Sequence, residues 1–194
     1  GHYSLPDTGA GLNAYIASGV CCCHESTRPE DIIAKMRLGM YAQLRMGSAW
    51  QDLPVIAKAI TENNIDARFA CLVSDDTHPH TLVADGHMDH ILRVAVENGF
   101  DPITAIRMVT INTAQCYRME RDLGSITPGK CADIVFLKDL DKFTVTRTII
   151  DGDTVAINGE MTHEFTPFTY PDWALHSVHL KDAVTADTFK IAAP

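Results

Sequence analysis

Short apolar runs alternate with segments of helical periodicity over residues 1–120, and no other feature of the chain constrains its fold as strongly. Such alternation builds βα units, whose strands lie parallel because each return to the sheet passes through a helix. Residues 20–23, 41–44 and 69–74 are predicted strands; 12–18, 53–63 and 88–98 are predicted helices. Thr27, Arg28, Pro29 and Glu30 read as a capping box with proline near the first helical position. The helix that follows carries Ile32, Ile33, Met36 and Leu38 on one face and stops at Gly39. Asp101 and Pro102 cap another helix, through Tyr117. After Leu123 the pattern changes. Residues 132–137, 144–150 and 154–157 read as antiparallel strands joined by turns such as Asp151-Gly152-Asp153, which puts a boundary near residue 120. From Thr162 onward the chain is irregular and aromatic, with Phe165, Phe168, Tyr170 and Trp173.

Composition narrows the function. Sixteen Lys and Arg against 25 Asp and Glu leave a formal charge of −9, which argues against nucleic acid and anionic membrane surfaces as general partners and leaves room only for a local basic site. No apolar run reaches the ~18–20 residues of a spanning helix, and no signal peptide opens the sequence. Six cysteines without regular spacing, in an acidic chain, read as reduced thiols of a cytoplasmic protein. Cys21, Cys22 and Cys23 lack zinc-type spacing, and on a strand only Cys21 and Cys23 share a face. They are expected to be small buried hydrophobes.

Polar residues gather at the ends of three apolar segments: His2, His24 with Glu25, and Asp75 with Asp76. In a barrel or open parallel sheet the loops converge at that edge. Two imidazoles and a carboxylate suit a divalent transition metal. Taken singly, His2 and His24 read better as surface groups, and Asp75-Asp76 equally well as a turn cap; their shared position favours a site. Spacing alone does not identify a reaction.

Several blocks carry a resemblance. Gly1-His2, Gly11-Leu12-Asn13-Ala14-Tyr15-Ile16, His24-Glu25-Ser26-Thr27, Leu38-Gly39-Met40-Tyr41, Gly47-Ser48-Ala49, Ser74-Asp75-Asp76 with His78-Pro79, and Gly86-His87-Met88-Asp89 are similar to the bacterial adenine deaminases of the metal-dependent amidohydrolase superfamily. Leu123-Gly124-Ser125-Ile126, Pro128-Gly129-Lys130 and Ala132-Asp133 resemble the superfamily's usual tail. The resemblance implies an α/β fold: the C-terminal half of a (β/α)8 TIM-type barrel over residues 1–120 (strands five to eight), part of a small β-sandwich over 121–161, and the start of a truncated domain over 162–194. It implies hydrolytic deamination of adenine to hypoxanthine and ammonia by metal-activated hydroxide.

The same resemblance assigns roles. His2, His24 and Asp75 become ligands of two divalent metals, manganese first, with iron and zinc as alternatives. Asp75 also handles protons, Glu25 and Asp76 line the purine pocket as catalytic residues, and His78 and His87 approach the substrate. The chain departs from the family at Cys23, where an aspartate is usual before the histidine; this alters the support of His24. The family's His-x-His pair and bridging carboxylate would lie upstream of Gly1, so an internal fragment is expected, with exposed strand edges and little activity in isolation. A small-molecule substrate and a homo-oligomer are implied. The alternatives are an amidohydrolase acting on another cyclic amide or aminopurine, and a non-catalytic scaffold homologue.

Overall fold

The computed structural model describes residues 1–4, 9–164 and 166–192; Phe165 of the aromatic stretch lies outside the described residues. The chain divides into two compact units, Gly1–His163 and Glu164–Pro194. In the first unit the elements run α1 (Ala10–Ala17), β1 (Cys22–Cys23), α2 (Pro29–Arg37), β2 (Tyr41–Arg45), α3 (Leu53–Ile56), α4 (Lys58–Thr61), β3 (Ala70–Val73), α5 (Pro79–Ala84), α6 (Met88–Glu97), α7 (Pro102–Val109) and α8 (Ile111–Cys116). They continue with β4 (Ile134–Leu137), β5 (Val145–Ile150), β6 (Asp153–Ile157) and β7 (Glu160–Met161). The second unit holds α9 (Asp172–Leu175) and a short 3-10 turn, Ala186–Phe189. No helix among the described residues is long and apolar enough to cross a membrane.

Strands β1, β2 and β3 form a parallel sheet in that order, with Cys23 beside Ala42, Ala42 beside Ala70, and Arg45 beside Val73. Ala42, Leu44, Ala70 and Leu72 pack against Ile32 of α2, Ile56 of α3, Ile91 of α6 and Met108 of α7. Alternate residues Gln43 and Arg45 are buried too, so β2 is covered on both faces, as parallel strands usually are. A buried polar group then needs a partner: Gln43 Nε2 donates to the Tyr117 hydroxyl at 2.8 Å.

The start of α2 differs from the expected capping box. Arg28 is the N-cap and no side chain caps the helix. Pro29 in the first turn, Glu30 and Asp31 beside the positive helix end, and an Arg28–Asp31 ion pair define the start instead. Leu38 lies beyond α2 and is exposed. The expected helix 53–63 is broken at Ala57, and 101–117 is broken at Thr110, whose Oγ1 bonds back to the Ile106 carbonyl at 2.7 Å. Asp101 caps α7 as expected, accepting the Thr104 N–H at 2.9 Å. Cys23 is buried but Cys21 is exposed, because β1 is a two-residue edge strand rather than four residues of covered sheet. Helix α5 was not anticipated; Pro79 in its first turn is the signal for it.

Strands β4 to β7 form an antiparallel sheet in sequence order, as the turn residues predicted. Asp151 and Gly152 both have positive φ, +50° and +88°, the conformation of the two-residue turn that matches strand twist and for which glycine is suited. A cavity of about 1080 Å³ runs between α7, α8 and this sheet, lined by apolar side chains such as Ile106, Val109, Ile126, Val135 and Phe143. It touches none of the candidate ligands.

Candidate metal centre

All three parallel strands finish at one edge: His24 and Glu25 follow β1, Arg45 closes β2, and Asp75 lies two residues beyond β3. His2 joins them without a strand of its own among the described residues. Its neighbours are tied to β1, the Gly1 amino group donating to the Cys22 carbonyl at 2.8 Å and the Tyr3 N–H to Cys23 Sγ at 3.1 Å.

Glu25 is the hub. Its Oε1 lies 3.0 Å from His2 Nδ1 and 3.1 Å from His24 Nε2, and the two imidazoles meet edge to face with centroids 4.3 Å apart. His2, His24 and Glu25 each present a ligand atom, all within 4.8 Å of one another. Two imidazole nitrogens and a carboxylate are a donor set that fits a divalent transition metal. Burial pushes the His24 imidazole below its ordinary pKa and nearby His2 adds to this, so the ring is neutral and its lone pair is available near pH 7.

The carboxylate of Asp75 reaches this cluster through Arg45. Arg45 Nη1 lies 2.9 Å from Asp75 Oδ2 and 3.2 Å from Glu25 Oε1. Its Nε and Nη2 clasp Asp52 Oδ2 at 3.0 and 2.8 Å, and the guanidinium sits over Trp50, 5.4 Å from the ring centroid. The Arg45 side chain is only 4% exposed. Burial alone would lower its pKa; the bonds to Asp52 and Asp75 outweigh that and hold it charged. Asp75 adopts φ +63°, a left-handed conformation that aspartate tolerates better than most residues and that is enriched at functional sites.

The other candidate residues lie around this centre. The Asp76 carboxylate accepts the Ala49 and Trp50 N–H groups and so ties down the loop after β2. That loop passes so close that a Cβ at Gly47 would sit 2.6 Å from the Ser74 and Asp76 carbonyls. His78 caps α5 and donates its backbone N–H to Ser48 Oγ at 2.8 Å. A ring nitrogen of His87 lies 3.1 Å from Ser74 Oγ, and His87 lines a cleft of about 30 Å³ with Ser48, Gln51, Ser74, Thr81 and His90. The structure thus groups His2, His24 and Glu25 directly, links Asp75 through Arg45, and sets Asp76, His78 and His87 on adjoining loops.

Arg45 and Asp52 are the site residues that sequence reasoning missed. The expected strand ended at Leu44; a charged residue closing an apolar run at the carboxyl end of a parallel strand was the available signal.

Residues 14–155 match the Amidohydrolase family. An adenine deaminase of Clostridium botulinum (strain ATCC 19397 / Type A) is 62% identical over 194 residues, covering 100% of this chain and 32% of that protein. An adenine deaminase of Moorella thermoacetica is 49% identical over 194 residues, covering 100% of this chain and 33% of that protein. The chain therefore spans about a third of the length of the curated relatives it matches. The crystal structure of a beta-aspartyl dipeptidase from Fervidobacterium islandicum AW-1 superposes with a TM-score of 0.64 at 16% identity, over 86% of this chain and 49% of that one. At that identity the likeness is one of fold.

Proposed function

The chain belongs to the amidohydrolase family, and from that premise we propose that it forms part of an enzyme that hydrolyses adenine to hypoxanthine and ammonia. The observation that carries the hydrolase reading is the convergence of His2, His24 and Glu25, with Asp75 held beside them by Arg45. The adenine deaminases that match over the whole chain support the choice of substrate. We read β1 to β3, with the segment at Gly1, as the last four strands of an eight-stranded barrel, residues 121–161 as part of a β-sandwich, and 162–194 as the start of a further domain. The reading places the enzyme in the cytoplasm, as a homo-oligomer acting on a small molecule, with neither nucleic acid nor membrane as partner.

Within that reading, His2, His24 and Glu25 hold a divalent ion in a two-ion centre, and Asp75 contributes a further carboxylate. Manganese is the proposed ion, with iron and zinc as the competitors. Such an ion supplies Lewis-acid activation of water at neutral pH. The chain's own residues do the rest. A carboxylate oxygen of Asp75 takes a proton from the attacking water and returns it to the exocyclic nitrogen, so that the amine leaves as ammonia. Arg45, 2.9 Å from Asp75 Oδ2, keeps that carboxylate aimed between proton transfers. Asp76 shapes the pocket, and His78 and His87 approach the purine from the adjoining loops.

Ammonia release by the intact enzyme, measured on adenine, other aminopurines and cyclic amides with and without a chelator, tests the proposal. Chelator-sensitive release from adenine above all others is expected. Chelator-sensitive turnover of another ring would overturn the substrate, and absence of any hydrolysis would overturn the enzyme reading.

A further inference from the structure

Beneath the three candidate ligands lies a cation that the proposed chemistry does not use. Lys35, on α2, is 2% exposed, and among the described residues no carboxylate lies within ion-pair distance of it. Burying an ammonium is unfavourable unless its protons are all accepted. Here they are. Lys35 Nζ lies 2.7 Å from Ser26 Oγ, 3.0 Å from the Tyr3 carbonyl oxygen and 3.2 Å from Cys23 Sγ.

Every one of these acceptors is the chain neighbour of a candidate ligand. Tyr3 follows His2, Cys23 precedes His24, and Ser26 follows Glu25. Cys23 Sγ is itself a junction, accepting the Tyr3 N–H at 3.1 Å and the Glu25 N–H at 3.4 Å. Among the described residues the segments at His2 and at His24-Glu25 form no strand pair, and these cross-links tie one to the other. A side chain needed only to fill space at this point of α2 could be methionine, without the cost of a buried charge.

We propose that Lys35 is a positioning residue for the metal centre. Its ammonium locks the two ligand-bearing segments in the register that brings His2, His24 and Glu25 to one ion. It does so without touching the ion, the substrate or any ligand side chain. The inference rests on the proposed metal-centre reading and is independent of which ring the enzyme hydrolyses.

The test uses the intact enzyme with cobalt(II) as the probe, comparing wild type, Lys35→Met and Ser26→Ala. Cobalt affinity is measured by chelator competition, ligand geometry by the visible absorption bands, and folding by thermal melting. Lys35→Met is expected to weaken cobalt binding by at least about tenfold, the scale at which supports of metal ligands act, and to alter the bands. Its kcat falls while KM for adenine changes little. Ser26→Ala, which keeps the charge, shows the same changes more weakly, and it decides the matter alone if Lys35→Met does not fold. Wild-type affinity and bands in the folded variants, even with a lowered melting temperature, would reduce Lys35 to a core residue and overturn the proposal. A wild-type protein that takes up no cobalt overturns both this inference and the metal reading. Cobalt uptake without ammonia release from adenine overturns the substrate only, and the cobalt measurements still decide the role of Lys35.

Discussion

The parallel and antiparallel sheets of the first unit differ in where their polar residues go. In the parallel sheet Ala42, Leu44 and Ala70 are wholly buried, and the charged groups gather at and just past the strand ends. In the antiparallel sheet no residue of β4 to β7 is fully buried, Phe136 and Ile150 are exposed, and none of the candidate site residues is present. The reason is directional. Parallel strands send every carboxyl end to one edge, so loops from distant parts of the sequence meet there; antiparallel strands alternate and collect nothing.

The contrast yields predictions of decreasing size. Asp75→Asn in the intact enzyme should lower the rate of ammonia release by about 10²–10⁴-fold, the range for a lost proton-transfer group, with the fold retained by circular dichroism. An unchanged rate would remove the parallel edge's claim to the chemistry. Leu44→Ala should cost about 2–5 kcal/mol of stability by denaturant titration, as a large-to-small change at a fully buried site. Ile150→Ala, half exposed on β5, should cost under about 1 kcal/mol. Equal losses would mean that the two sheets are packed alike.

Arg45→Met should destabilise the folded state by about 2–3 kcal/mol, less than for a wholly buried network because Asp75 and Glu25 are partly open to solvent. The smallest effect belongs to the partly buried Asp89–Arg93 pair on α6. Burial alone would raise the Asp89 carboxyl pKa, but the bonds from Arg93 and from the His87 N–H outweigh it and hold the group below its usual value. A depressed carboxylate stabilises above its unfolded pKa, and that contribution is lost as pH falls through the folded value. Asp89→Asn should therefore cost roughly 0.5 kcal/mol at pH 7 after solvent screening, and nothing once the solution is more acid than the carboxylate range. Urea titrations at both pH values check this.

What could be read from the sequence followed the same divide. Strand β3 was legible as a continuous apolar run, β2 because Gly39 ends the helix before it, and the β5–β6 hairpin because Asp151-Gly152 fits few other conformations. His24 and Asp75 were legible as polar residues at strand ends; His2 has no strand of its own among the described residues and is held there by the contacts of Gly1 and Tyr3 to β1. Arg45 was not, since its burial depends on Asp52, Glu25 and Asp75, up to 30 positions away, which neutralise it only in the fold. Lys35 was hidden for a similar reason. It falls on the buried face of α2 with Ile32 and Met36, yet its acceptors include a backbone carbonyl 32 residues distant. Periodicity reports which positions are covered. It does not report which covered charges find partners.

The account turns on His2, His24 and Glu25 holding a divalent ion at the end of the parallel sheet. Elemental analysis of the intact enzyme after dialysis, comparing wild type with His24→Ala, addresses that claim most directly. The account predicts a divalent transition metal in the wild-type protein and a clear drop in content in the folded variant. Equal metal content in the two would contradict it.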